Sequence, residues 1–119
     1  MNDRISVEYG DVNRLVADLR GLPAEAARRA STAIRKTALD IEADAKAFSP
    51  IDTGFLRSSI GFDVDRDGLG AVIGPTAEYA PAVEWGTSRA APRAFLGPAF
   101  DRRATDLYDA LERMTEGLL

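Results

Sequence analysis

The stretch from Ser49 to Ile60, Ser-Pro-Ile-Asp-Thr-Gly-Phe-Leu-Arg-Ser-Ser-Ile, constrains this chain most, because one repeat of apolar residues stops there and another begins. Upstream, Ala27, Ala30, Ile34, Ala38, Ile41, Ala45 and Phe48 recur every three or four positions, the spacing of one helix face. Downstream, Ile60, Phe62 and Val64 alternate with polar or small residues, the spacing of one strand face. Pro50 cannot continue a helix and pushes Ser49 toward extended dihedrals, while Gly54 supplies backbone freedom. The stretch therefore reads as a rigid corner between a helical and a stranded half.

The rest of the chain hangs from that corner. Ile5, Val7 and Tyr9 alternate, so residues 4 to 9 suggest a short strand ended by Gly10. Asp11 is a suitable N-cap, and Val12, Leu15, Val16 and Leu19 fall at helical spacing before Gly21, which predicts a first amphipathic helix. Pro23 suits the start of a long second helix running to about Phe48, supported by Glu25/Arg29 and Glu42/Lys46 pairs. Its apolar stripe is rich in alanine, so a neighbour can approach closely, either within the same subunit or at a subunit contact. After the corner, Ser59 to Asp65 and Leu69 to Gly74 flank Arg66-Asp-Gly68, a hairpin signal. Tyr79 to Thr87 suggests a helical turn closed by Gly86. Pro92 to Leu96 reads as extended, and a last helix from Pro98 carries Phe100, Ala104, Leu107, Leu111, Met114 and Leu118 on one face. The expected fold is α+β: an antiparallel sheet of about three to four strands packed against the long Ala-rich helix and the C-terminal helix, in a single domain over residues 1–119.

Composition narrows the chemistry. At 119 residues the chain can bury roughly two-thirds of its unfolded surface in one core. With no cysteine and no histidine, thiol chemistry, disulfides, Cys/His zinc sites and Ser-His or Cys-His catalysis are excluded. The net charge of −4 argues against a protein that grips nucleic acid through phosphates. No apolar run reaches the ~20 residues of a membrane span. The first residues lack a basic n-region and an apolar h-region, so synthesis in the cytoplasm is expected.

Two motifs point to activity. Asp52-Thr53-Gly54 is the triplet of aspartic proteases, and a retroviral-type enzyme would be a dimer with one triplet per chain. That chemistry needs two carboxylates sharing a proton at the tips of tight loops between strands. Here a long helix precedes the triplet and Phe-Leu-Arg follows it, which favours a turn in which Asp52 bonds backbone N–H groups. Asp63-Val-Asp65-Arg-Asp67-Gly68 matches the opening of an EF-hand loop, but Gly74 stands where the bidentate glutamate belongs and strands flank it, so a solvated turn or at most weak calcium binding is expected. No cofactor is implied.

Taken in order, the corner, the return strand ending Ala71-Val-Ile-Gly74, Tyr79-Ala-Pro-Ala-Val-Glu-Trp-Gly-Thr87 and Pro92-Arg-Ala-Phe-Leu-Gly-Pro-Ala99 resemble one family. This is the tail-component family of long-tailed bacteriophages of the Hong Kong 97 type, and the resemblance spans about residues 20 to 115. It implies a non-enzymatic virion protein of a phage or prophage, made in the host bacterial cytoplasm. It further implies a tail-completion subunit of the neck that forms a ring, a hexamer by analogy, between head connector and tail-tube proteins. DNA would pass without specific binding, and no membrane is involved.

Within that frame Phe55, Tyr79 and Trp85 are candidate interface anchors, since aromatics are favoured at interfaces, although the same residues would also suit a core. Arg57 and Glu84 sit beside apolar neighbours and call for partners, either each other or groups across a subunit boundary. Asp63, Asp65 and Asp67 form the densest acidic feature. They are candidates for a lumen surface that repels DNA, or for an outward solubilising turn.

Overall fold

The 25-residue helix α1 (Ala24–Phe48) is the spine of the structure, and its length of about 37 Å lets it pack against the hairpin strands, the short turn that follows it and the C-terminal helix. A computed structural model describes residues 5–8, 14–17, 23–50 and 54–115, the first two segments as backbone traces. Helix α1 ends where the proline signal places it. Ser49 leaves the helix with φ −66° and ψ 143°, its N–H still bonded to Ala45 O at 2.9 Å and its hydroxyl donating to Lys46 O at 2.8 Å. The next element, α2 (Phe55–Ser58), is a single turn entered through Gly54 at φ 74°, a left-handed value that only glycine adopts without strain.

Strands β3 (Ile60–Val64) and β4 (Gly70–Pro75) form the expected antiparallel hairpin, with Phe62 opposite Ile73 and Gly61 opposite Gly74. These two strands are the part of the sheet with described side chains, fewer than the three to four anticipated as a packed layer. Backbone pairing extends the sheet along the other edge of β4 through β2 (Arg14–Ala17) to β1 (Ile5–Glu8), in the order β1-β2-β4-β3 with every neighbour antiparallel. The expected helix over Val12 to Leu19 is thus corrected, since residues 14–17 are extended. A short apolar run fits either periodicity, and the free hydrogen-bonding edge of β4 decides in favour of the strand.

Helix α3 (Ala80–Trp85) is the anticipated helical turn, closed by Gly86. Helix α4 (Leu96–Thr115) starts two residues before Pro98, which therefore occupies the first turn, where a missing N–H is harmless. Of the expected stripe on α4, Phe100, Ala104, Leu107 and Leu111 are buried and Met114 is half-buried; Leu118 lies outside the described residues. The alanine stripe of α1, Ala30, Ile34, Ala38, Ile41 and Ala45, is buried within the subunit against the hairpin and α4, which answers the question the sequence leaves open about its neighbour. Each large side chain of this core, such as Phe95, Phe100, Ile34 or Ile73, contributes about 1.5–3 kcal/mol by leaving water.

One ion pair crosses the two long helices. Asp44 lies on the buried side of α1, and Arg103 of α4 donates to both its oxygens, at 2.6 and 3.2 Å. Arg102 stands 3.8 Å from the same carboxylate. The Arg103 hydrogen bond, aided by the charges of Arg103 and Arg102, holds the Asp44 carboxyl below its ordinary pKa even though burial pushes the other way. The hydrogen bond with Asp44 raises Arg103 in turn.

A carboxylate whose folded pKa is depressed stabilises the fold above its unfolded value of about 3.9 and loses that contribution as pH falls through the lower folded value. Asp44→Asn should therefore lower the melting temperature at neutral pH. The gap to wild type should close as the pH is taken below about 4. Melting curves collected across that range check this, and a gap independent of pH would contradict it.

Candidate functional site

The residues singled out in the sequence gather where α1 ends, around α2, α3 and the start of α4. Phe55, Tyr79 and Trp85 are 54%, 42% and 63% exposed, so the core reading of the aromatics is overturned. The chain chemistry explains their position. Leu56 of α2 and Ala77, Ala80 and Glu84 around α3 take the buried faces, which turns Phe55, Tyr79 and Trp85 outward. Phe55 and Tyr79 meet edge to face with ring centroids 6.2 Å apart, an arrangement that holds both rings in place at the surface. Apolar area of this kind is costly to leave in water.

Arg57 and Glu84 do not meet within the chain. Arg57 donates to Ser49, from Nε to the hydroxyl at 3.4 Å and from Nη2 to the carbonyl at 3.3 Å, which sets a cation against the C-terminus of α1. Glu84 is buried, at 8% exposure, and its carboxylate accepts three backbone hydrogen bonds. Oε1 receives the N–H groups of Phe95 at 3.0 Å and Leu96 at 2.9 Å, and Oε2 that of Gly97 at 3.0 Å. The expected intramolecular Arg57–Glu84 pair is corrected for a definite reason. The first turn of α4 presents N–H groups with no partner inside the helix, and a carboxylate also suits the positive end of the helix dipole. Pro98, the next residue, has no N–H to satisfy.

The loop between α3 and α4 is ordered around this cap. Arg93 N–H donates to Val83 O at 2.8 Å and Thr87 N–H to Ala90 O at 2.8 Å, while the Thr87 hydroxyl accepts from the Arg89 and Ala90 amides. Gly86 has φ 78°, and a side chain there would press on Ala90 O and on Pro92. Residues 87–94 are exposed, Arg89 and Arg93 among them.

The acidic hairpin lies elsewhere. Its turn closes through Asp65 N–H to Gly70 O and Gly68 N–H to Asp65 O, both at 2.8 Å, with the Leu69 amide donating to Asp67 Oδ1 at 2.9 Å. Gly68, at φ 76°, packs so tightly on Ser31 of α1 that a Cβ would overlap the hydroxyl. Arg28 and Arg35 flank Ser31 on the same helix face, and the Arg35 guanidinium lies 6.0 Å from the centre of the Phe62 ring. The tip therefore stands against the basic half of α1. Asp63, Asp65 and Asp67 do not converge on one point. Among the described residues, no group of three or more His, Cys, Asp or Glu side chains could hold a metal ion, so the calcium reading gains no support. Of the protease triplet, Asp52 and Thr53 lie outside the described residues. Among the described residues, no helix is long and apolar enough to cross a membrane.

Sequence reasoning missed two groups. Asp44 falls on the buried side of its helix, beside Ile41 and Ala45, and that position is a signal for a partnered charge. The cap by Glu84, eleven residues before Phe95, leaves no local signature.

The sequence matches the family model described as "Bacteriophage HK97-gp10, putative tail-component" over residues 13–86, more than half of the chain. No curated protein and no solved structure matches it.

The cap yields a measurable expectation. Glu84→Ala leaves three N–H groups without their acceptor and should destabilise the protein by about 3 kcal/mol, with Glu84→Gln losing roughly half of that. Denaturant titration of the two variants checks the order. Equal stability of Glu84→Ala and wild type would contradict it.

Proposed function

Since this chain belongs to the HK97-gp10-like family of bacteriophage tail components, we propose that it is a ring-forming subunit of the neck of a long-tailed phage or prophage, joining head connector to tail tube. The family supports a structural protein of the phage tail located in the virion. The neck position, the hexameric ring and the absence of catalysis are the further content of the proposal.

The observation that carries it is the exposed trio Phe55, Tyr79 and Trp85 on or at the start of the short helices α2 and α3, with Phe55 and Tyr79 in ring contact and Arg57 on the same turn as Phe55. Large rings and arginines are the residue types that dominate binding energy at interfaces. With 42–63% of each aromatic still exposed, a partner would take on the order of 100 Å² per residue out of water, which makes the three central anchors of an interface that needs about 800 Å² on each side. A chain without His or Cys cannot run thiol, Ser-His or Cys-His catalysis, which favours a structural role for this surface. DNA passing through such a ring meets a subunit of net charge −4, which repels phosphate. The carboxylates of Asp63, Asp65 and Asp67 face the lumen in this reading. Arg28 and Arg35 lie beneath the hairpin tip and moderate its field.

The test is particle assembly. A phage whose own copy of this gene is deleted should accumulate unjoined heads and tails, and the wild-type chain should restore infectious particles. The triple variant Phe55→Ala, Tyr79→Ala, Trp85→Ala should fold with stability within about 1–2 kcal/mol of wild type yet fail to restore them. Normal particles from the deletion would overturn the proposal.

The lumen assignment has its own readout. Replacing Asp63, Asp65 and Asp67 with Lys should slow genome ejection while leaving particles intact. Unchanged ejection kinetics would show that the hairpin does not face DNA.

A further inference from the structure

The open edge of β3 offers a second surface, and here the hydrogen-bond register identifies what it can bind. In the hairpin, Asp65 N–H bonds to Gly70 O and Thr76 N–H bonds to Ser59 O. Antiparallel strands alternate between bonded and non-bonded pairs. With the register of Phe62 opposite Ile73 and Asp63 opposite Val72, residues 59, 61, 63 and 65 turn their backbone groups toward β4. The N–H and C=O groups of Ile60, Phe62 and Val64 therefore point the other way. β3 is the last strand in the order β1-β2-β4-β3, and among the described residues no hydrogen bond reaches the outward groups of Phe62 and Val64.

Edges of this kind are usually blunted by proline, lysine or a covering element. β3 has the sequence Ile-Gly-Phe-Asp-Val, with neither proline nor lysine, and the elements packed most extensively against it are β4 and α1. Asp63 is its single charge.

We propose that the β3 edge is completed by the β1 strand of a second copy of this chain, so that the sheets of neighbouring subunits join head to tail. Strand direction selects this occupant. In a sheet of four strands with every neighbour antiparallel, the two edge strands run in opposite directions. A copy in the same orientation then presents its β1 antiparallel to β3, and the alternation continues across the boundary. That contact is heterologous: one patch meets a different patch, the operation that builds rings instead of closed pairs. Pairing of β3 with β3 of the partner would also be antiparallel, but it would close a two-fold dimer. The turn α2 runs directly into β3, so the surface bearing Phe55 sits at one end of the same edge. The inference rests on the assembly reading above and adds to it the backbone contact that sets subunit register.

Two measurements on the full chain test this. The first follows amide hydrogen exchange in the assembled protein at high concentration. The amides of Phe62 and Val64 should exchange freely in dilute monomer and become protected on assembly, while Asp63 is protected in both states. Assemblies that leave Phe62 and Val64 unprotected would overturn the edge contact while leaving the assembly reading intact, and a chain that stays monomeric at every concentration would overturn it as well. Val64→Pro, which removes an outward N–H that the fold does not use, should keep the monomer's circular dichroism and weaken association by roughly tenfold or more.

The second identifies the partner strand. Because the chain has no cysteine, Ser6→Cys and Asp63→Cys are unique labels. Mixed with a short bis-maleimide, the two variants should link to each other. Links formed between Asp63→Cys chains alone would establish the two-fold alternative and refute the head-to-tail contact.

Discussion

The carboxylate of Glu84, buried and bonded to the amides of Phe95, Leu96 and Gly97, is the contact on which the geometry of the functional end depends. It ties α3 to the first turn of α4 across an exposed loop, and so fixes where α4 begins. With Glu84 turned inward, Trp85, the next residue, is turned out. A charge that desolvation would otherwise make expensive is retained because the helix N-terminus supplies three donors and a favourable dipole at once. Gly97 is part of the same device: a side chain there would lie 3.2 Å from Glu84 Oε2 and crowd the cap.

Asp44 and Arg103 join the C-terminal part of α1 to the N-terminal half of α4, about two turns along from the Glu84 cap. The family match ends at Gly86, so the matched region contains Glu84 and Asp44 but not α4. Among the described residues of that region, the two buried carboxylates are satisfied by groups at or near the start of α4, one by backbone amides and the other by a guanidinium. The C-terminal helix is therefore integral to the core, with Phe95, Phe100 and Leu111 among the most deeply buried side chains. Of the large exposed apolar groups among the described residues, Leu39 lies in the middle of α1, while Phe48, Phe55, Tyr79 and Trp85 lie on or beside the segments that join the main elements.

Much of this was legible in the residues. The α1 stripe from Ala30 to Ala45, its stop at Ser49-Pro50, the glycine at position 54 and the hairpin around Asp67-Gly68 all follow from local rules, because each depends on backbone chemistry within a few residues. The extended conformation of residues 14–17 was not legible, since the hydrogen bonds that decide it come from β4, far along the chain. Glu84 failed for a similar reason. Its charge beside Trp85 correctly called for a partner, yet the partners are backbone groups of another element, which no side-chain pattern announces. Exposure of Phe55, Tyr79 and Trp85 was equally undecided in sequence, because short helical turns give too few residues to define a buried face.

The central claim is that the aromatic end of the molecule is exposed in the free chain and covered in the assembled one. Trp85 is the only tryptophan, so its fluorescence reports on that surface alone. Acrylamide quenching measured on the free chain and on the assembled protein compares the two states directly. The account predicts strong quenching in the free chain, and a blue-shifted, protected emission after assembly. Equal quenching in both states would contradict it.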